Sequence, residues 1–145
     1  MKYRTGLIIM KYKSKSHCMF LLKYHLILTV KYRHKLLIDF NLSNSLKEYI
    51  KQIARDYDFD VEVMEVDKNH IHLLLELKPA QCVAEIVKII KSITTKQLWV
   101  NYSYLLQKKL WGSRSFWTSG YFICTTGDAS TETIKKYIEN QGKKT

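Results

Sequence analysis

The sequence predicts an α+β fold, an antiparallel sheet covered by helices on one face, and three observations carry that expectation. Cys18 to Lys31 alternates with the period of a strand: Cys18, Phe20, Leu22, Tyr24, Leu26, Leu28 and Val30 fall on one side, and Met19, Leu21, Lys23, His25, Ile27 and Thr29 on the other. Leu46, Tyr49, Ile50, Ile53 and Tyr57, and later Val83, Ile86, Val87, Ile90 and Leu98, recur at the spacing of amphipathic helices. Between them, two aliphatic runs flank the polar link Asp67-Lys68-Asn69, which is the pattern of a hairpin.

Taken in order, Met1 to Ser16 is a basic extension, read either as a DNA-binding arm or, the favoured reading, as poorly ordered chain, and residues 17–145 form a single domain. The long first strand leads through a basic connection into a helix over Ser43 to Tyr57, with Ser43 or Asn44 as N-cap. The strands Phe59 to Val66 and His70 to Leu77 follow, and Pro79 ends the second. A second helix turns Glu85, Lys88 and Lys96 outward. It is followed by an aromatic loop region and a fourth strand near Phe116 to Thr126. Gly127-Asp128-Ala129-Ser130 interrupts the pattern, and Thr131 to Gln141 reads as a closing helix capped by Ser130 or Thr131 and stopped at Gly142. The order β-α-β-β-α-β is that of the ferredoxin-like split βαβ fold. In that topology the first and third strands are neighbours, which puts Lys23 and His25 beside His70 and His72 on the uncovered face.

Charge and cysteine content narrow the function. The 145 residues carry 24 Lys and Arg against 13 Asp and Glu, a formal charge of +11, which calls for a polyanionic partner. No acid precedes Asp39, and none lies between Ile86 and Gly127. There Lys88, Lys91, Lys96, Lys108, Lys109 and Arg114 interleave with Trp99, Tyr102, Tyr104, Trp111, Phe116, Trp117 and Tyr121. Cations among aromatics suit single-stranded nucleic acid, whose phosphates meet charge and whose unstacked bases meet rings. Cys18, Cys82 and Cys124 lie far apart, which indicates neither a disulfide framework nor a thiolate zinc site and fits a reducing cytoplasm. No apolar stretch approaches membrane-spanning length.

His70 and His72 carry the sharpest chemical signal. At i and i+2 on a strand both imidazoles share a face, ~6 to 7 Å apart at their Cα atoms, while Ile71 points into the core. Such a pair can hold zinc, manganese, iron or no ion at all. Tyr137 and Gln141, four residues apart, project a phenol and a carboxamide from one side of the closing helix.

His70-Ile71-His72 resembles the His-hydrophobic-His (HUH) motif, and Tyr137-Ile138-Glu139-Asn140-Gln141 resembles the nucleophile helix of the single-tyrosine HUH transposases of TnpA type, the IS200-like superfamily. The likeness extends through Lys23-Tyr24-His25-Leu26, Lys31-Tyr32-Arg33-His34-Lys35, Asp67 to Leu74, Trp117 to Phe122 and Thr126-Gly127, in the family's order. One departure is Lys91-Ser92-Ile93-Thr94-Thr95, where relatives often have Lys-Gly before small hydroxyl residues.

The resemblance implies a transposase that cleaves and rejoins single-stranded DNA. His70, His72 and Gln141 would hold Mg²⁺, with Mn²⁺ able to substitute, and Tyr137 would form a 5′-phosphotyrosine intermediate. It further implies recognition of DNA hairpins at insertion-sequence ends by a homodimer whose active sites assemble in trans. Lys23, Lys31, Arg33 and Lys35 are the cations expected to meet DNA, because they cluster beside the first strand. Two rivals remain. One is a domesticated nickase acting on repetitive palindromes, or a replication or conjugation nickase; the other is a non-catalytic ferredoxin-like nucleic-acid-binding module.

Overall fold

The structure, a computed structural model, describes residues 13–15, 18–110, 112–126 and 136–140. Trp111, Gln141, His17 and residues 1–12 of the basic extension lie outside them. Six strands are present: β1 (Lys13–Lys15), β2 (Cys18–Phe20), β3 (Leu22–Thr29), β4 (Asp60–Val66), β5 (His70–Leu77) and β6 (Phe122–Thr125). The helices are α1 (Phe40–Tyr57) and α2 (Val83–Leu110), and 136–140 are also helical. The main sheet has the order β4-β5-β3-β6 with every pair antiparallel, as the split βαβ topology requires.

Four boundaries differ from the sequence expectation, each for a physical reason. The expected first strand is divided, because Cys18–Phe20 pairs with Lys13–Lys15 in a separate hairpin and β3 alone enters the sheet. Lys13–Lys15 of the basic extension are thus strand. Helix α1 begins at Phe40, because the Asp39 carboxylate accepts the Leu42 amide at 2.9 Å and is the N-cap. Ser43, expected to cap, instead donates its hydroxyl to the Leu37 carbonyl. Helix α2 continues through the stretch read as an aromatic loop, since buried Trp99, Leu106 and Leu110 extend its apolar side. At Tyr102 the backbone leaves helical geometry (φ −132°, ψ 25°) while the phenol bonds the Asn41 carbonyl and Ser45 hydroxyl of α1. Strand β6 is short, and Phe116 to Tyr121 contributes only the single bridge from Trp117 to Val30.

The two sheet faces have different work. Leu26, Leu28, Ile71, Leu73 and Leu75 are fully buried against Leu46, Ile50 and Ile53 of α1 and Ile86, Ile90 and Leu98 of α2. Each such side chain contributes about 1.5–3 kcal/mol by leaving water, so this face fixes the register of β3 against β5. The opposite face carries Lys23, His25, Ile27 and Thr29 across from Glu76, Leu74, His72 and His70, respectively. The core therefore dictates which side chains face one another on the side free of α1 and α2.

Candidate active site

His70 and His72 stand near the start of β5, and their partners set which ring nitrogen offers a lone pair. His70 Nδ1 lies 3.0 Å from the Asn69 carboxamide oxygen, and His72 Nδ1 lies 3.5 Å from a Glu65 carboxylate oxygen across the β4–β5 pairing. An oxygen acceptor at Nδ1 calls for the proton there, which leaves a lone pair on each Nε2. His72 Nε2 is 2.8 Å from Nδ1 of His25, and the two rings stack with centroids 5.0 Å apart. His25 therefore donates to the lone pair of His72.

Burial, with repulsion from His72, lowers the His25 pKa below its usual 6.5. Burial also lowers that of His70, against the pull of Asp67 and with repulsion from His72 and Arg33. Neutral imidazoles are the form that binds metal.

Glu65, Val66, Asp67, His70 and His72 line a small cavity of about 230 Å³ that Ile138 closes from the tyrosine helix. Two imidazoles with nearby carboxylates are a donor set that accepts Mg²⁺ or Mn²⁺. Among the described residues no three His, Cys, Asp or Glu side chains converge on one point. Gln141, the expected third ligand, lies outside the described residues.

Tyr137 is half-buried, its ring 5.2 Å from that of Phe122. Phe122 pairs with Ile27, which pairs with His72, so the ring that Tyr137 packs on belongs to the same cross-strand row as His72, ~10 Å of strand spacing away. Burial pushes its pKa from 10.0 up to about 12. Arg33 Nη1 donates to the Glu139 carbonyl at 3.1 Å and fastens this helix to the connection after β3. Tyr32 and Arg33 both have positive φ, 59° and 55°, an uncommon pair for residues with side chains and a mark of a tightly constrained connection.

The expected DNA cations fall into different settings. Lys31 donates to the Ser115 hydroxyl at 3.1 Å and Lys35 is exposed. Lys23 is held by Glu62 at 2.9 Å and lies 3.9 Å from Glu76, so its charge is matched by carboxylates rather than open to phosphate. A second concave surface of about 930 Å³ runs along α2, where Lys88, Lys91, Lys96 and Arg114 adjoin Trp99 and Tyr121 with no carboxylate among the described residues that line it. Thr29, Asn69 and Glu65 lie around the histidine pair without having been singled out from the sequence, whereas His25 was expected beside it. The strand alternation that pairs β3 with β5 was the available signal for His25 and Thr29.

A ferredoxin-like sheet bearing a histidine pair beneath a tyrosine helix defines the class of the single-tyrosine transposases of TnpA type. Residues 18–141 match the family model "Transposase IS200 like", and the chain belongs to that family. It is 38% identical over 123 residues to the ISDra2 transposase TnpA of Deinococcus radiodurans, covering 85% of this chain and 86% of the relative. It is 26% identical over 129 residues to the IS200 transposase of Salmonella typhimurium, covering 89% and 82%. A crystal structure of a Deinococcus radiodurans R1 protein assigned as a transposase superposes with a TM-score of 0.81 at 30% identity, over 89% of this chain and 97% of that one. A REP-associated tyrosine transposase bound to a REP hairpin shares the fold, with a TM-score of 0.54 at 14% identity over 88% of this chain and 70% of that one. The protein is thus a DNA transposase. No helix among the described residues is long and apolar enough to cross a membrane.

Proposed function

We propose that this transposase cleaves and rejoins single-stranded DNA at insertion-sequence ends through a covalent 5′-phosphotyrosine intermediate on Tyr137, with a divalent ion held by His70, His72 and Gln141. The observation that carries this reading is the cavity shared by His70, His72 and Ile138, which brings the tyrosine helix to the histidine pair. A bound Mg²⁺ or Mn²⁺ would neutralise and align the scissile phosphate.

Tyr137 Oη attacks phosphorus as the bond to the 3′-oxygen breaks. The phenol gives up its proton and the departing oxygen gains one, leaving a 5′-phosphotyrosine and a free 3′-hydroxyl. A 3′-hydroxyl attacking that linkage forms a DNA phosphodiester as the bond from phosphorus to Tyr137 Oη breaks, the hydroxyl losing its proton and the phenol regaining one, and no nucleotide cofactor is consumed. With its pKa near 12 the phenol is protonated at neutral pH, so its deprotonation must accompany attack. Arg33, which joins the tyrosine helix and lies close enough to depress the His70 pKa, supplies a fixed cation beside the phosphate path.

Hairpin DNA is the proposed substrate, supported by the basic charge and by the hairpin bound in a protein of the same fold. Lys31, Arg33 and Lys35 are the cations proposed to meet it, and Arg33 is tied to the tyrosine helix. The tyrosine helix packs on its own chain's sheet, and a homodimer that exchanges this helix would make the same contacts in trans. The test is incubation with a labelled single-stranded hairpin from the element's own ends and Mn²⁺. The intact protein should give a covalent adduct, and Tyr137→Phe should give none. An adduct that persists in Tyr137→Phe would remove the phenol from its role. For the dimer, Tyr137→Phe mixed with His70→Ala/His72→Ala should recover activity if sites assemble in trans. No recovery in verified heterodimers would contradict it.

A further inference from the structure

Thr29 ends β3, and the register sets it directly across from His70 on the open face. Directly paired residues on an antiparallel ladder have Cβ atoms ~5 Å apart and point the same way. The Thr29 side chain is 1% exposed, and among the described residues its hydroxyl is left buried without a hydrogen-bond partner. Its carbonyl is already engaged, accepting the Thr118 amide at 2.8 Å, so the backbone is fixed while the hydroxyl is not.

A buried hydroxyl with no partner is unfavourable relative to the isosteric valine, which suits a strand equally well. Ile27, two residues earlier on the same face, is fully buried, so this face accepts an aliphatic side chain. Its direct cross-strand neighbour is His70, whose Nδ1 faces Asn69 and whose Nε2 has no partner among the contacts of the described residues.

We propose that Thr29 is a positioning residue of the transfer site, its hydroxyl bonding the oxygen atom that a bound ion brings up to His70. That oxygen belongs either to a water on the ion or to the scissile phosphate. Both are polarised oxygens able to satisfy a buried hydroxyl. The inference rests on the divalent-ion reading given above.

Thr29→Val removes the hydroxyl at nearly constant shape, and Thr29→Ser retains it. The test measures Mn²⁺ binding by electron paramagnetic resonance on the full chain, with and without an unlabelled single-stranded hairpin, together with the melting temperature free of metal. Thr29→Val should melt about 3 °C higher without metal and bind Mn²⁺ about ten-fold more weakly, while Thr29→Ser keeps the affinity. Weakening with Mn²⁺ alone identifies the ion's water as partner, and weakening only with Mn²⁺ and DNA together identifies the phosphate. Unchanged affinity in both arms, or a lower melting temperature with unchanged affinity, overturns the assignment. If the unmodified protein binds no Mn²⁺, the metal reading itself fails and this inference falls with it.

Discussion

At one end of the open sheet face, Lys13, Lys23, Glu62 and Glu76 neutralise one another through contacts of 2.7 to 3.9 Å, with Glu76 only 6% exposed. At the other, His70, His72 and Thr29 present lone pairs and a hydroxyl that the protein satisfies only in part. Both ends are built on the same two strands, β3 and β5. A bulge between Val61 and Val63 accompanies the bond from Glu62 to Lys23, so even the irregularity of β4 serves the paired end. Charge by itself therefore does not locate function: Lys23 belongs to a closed network, whereas the end proposed to be reactive keeps a buried hydroxyl with no partner among the described residues.

Substitutions at the two ends should consequently fail in different ways. The largest effect is expected at the reactive end, where Tyr137→Phe abolishes adduct formation on denaturing gels without lowering the melting temperature appreciably. His70→Ala or His72→Ala should cost at least about 100-fold in cleavage rate, more than loss of an outer partner of a metal site, and should remove Mn²⁺ binding. At the paired end, Glu76→Gln leaves Lys13 and Lys23 facing a neutral side chain. It should lower unfolding free energy by about 1–3 kcal/mol in urea titrations, less than a fully buried pair because Lys13 is half exposed. Cleavage per folded molecule should stay near the unmodified value, and a large loss of cleavage would erase the distinction between the ends.

A finer contrast separates two lysines. Lys35→Ala should reduce the salt dependence of single-strand binding by about 0.7 in log–log slope, whereas Lys23→Ala should leave that slope unchanged and cost about 1 kcal/mol of stability.

The smallest effects are pH-dependent. His25 and His70 have folded pKa values below 6.5, so the stability they contribute is present above that pH and is lost as pH falls through the depressed values. Tyr137 behaves in the opposite sense. Its folded pKa near 12 exceeds the ordinary 10.0, so its packing contribution is complete below pH 10 and is lost as pH rises toward 12. Metal-free melting curves should fall modestly on both flanks, and Tyr137→Phe should flatten the alkaline one.

Much of this organisation was legible in the sequence because it depends on periodicity. The alternation of β3 and β5 and the helical repeats of α1 and α2 follow from which side chains must be buried, and they put His25 beside His72 before any distance was known. That His70 and His72 share a face follows from the same alternation, whereas the roles proposed for them and for Tyr137 come from the resemblance and not from spacing. Features set by local competition were not legible. Asp39 capped in place of Ser43, and helix α2 ran through Trp99 to Leu110 because tertiary packing overrode the weak helix preference of its aromatic residues. The capture of Lys23 depended on a bulge in a different strand, and the burial of Thr29 on how the face is covered; neither leaves a trace in residue spacing.

The most direct test of the account is peptide mapping by mass spectrometry of the adduct formed from the protein, Mn²⁺ and a single-stranded hairpin of its own element's ends. The account predicts one phosphodiester-linked peptide, with the 5′-phosphate of the DNA on Tyr137. Attachment at another residue, or strand cleavage with no protein-linked DNA under conditions that trap intermediates, would contradict it.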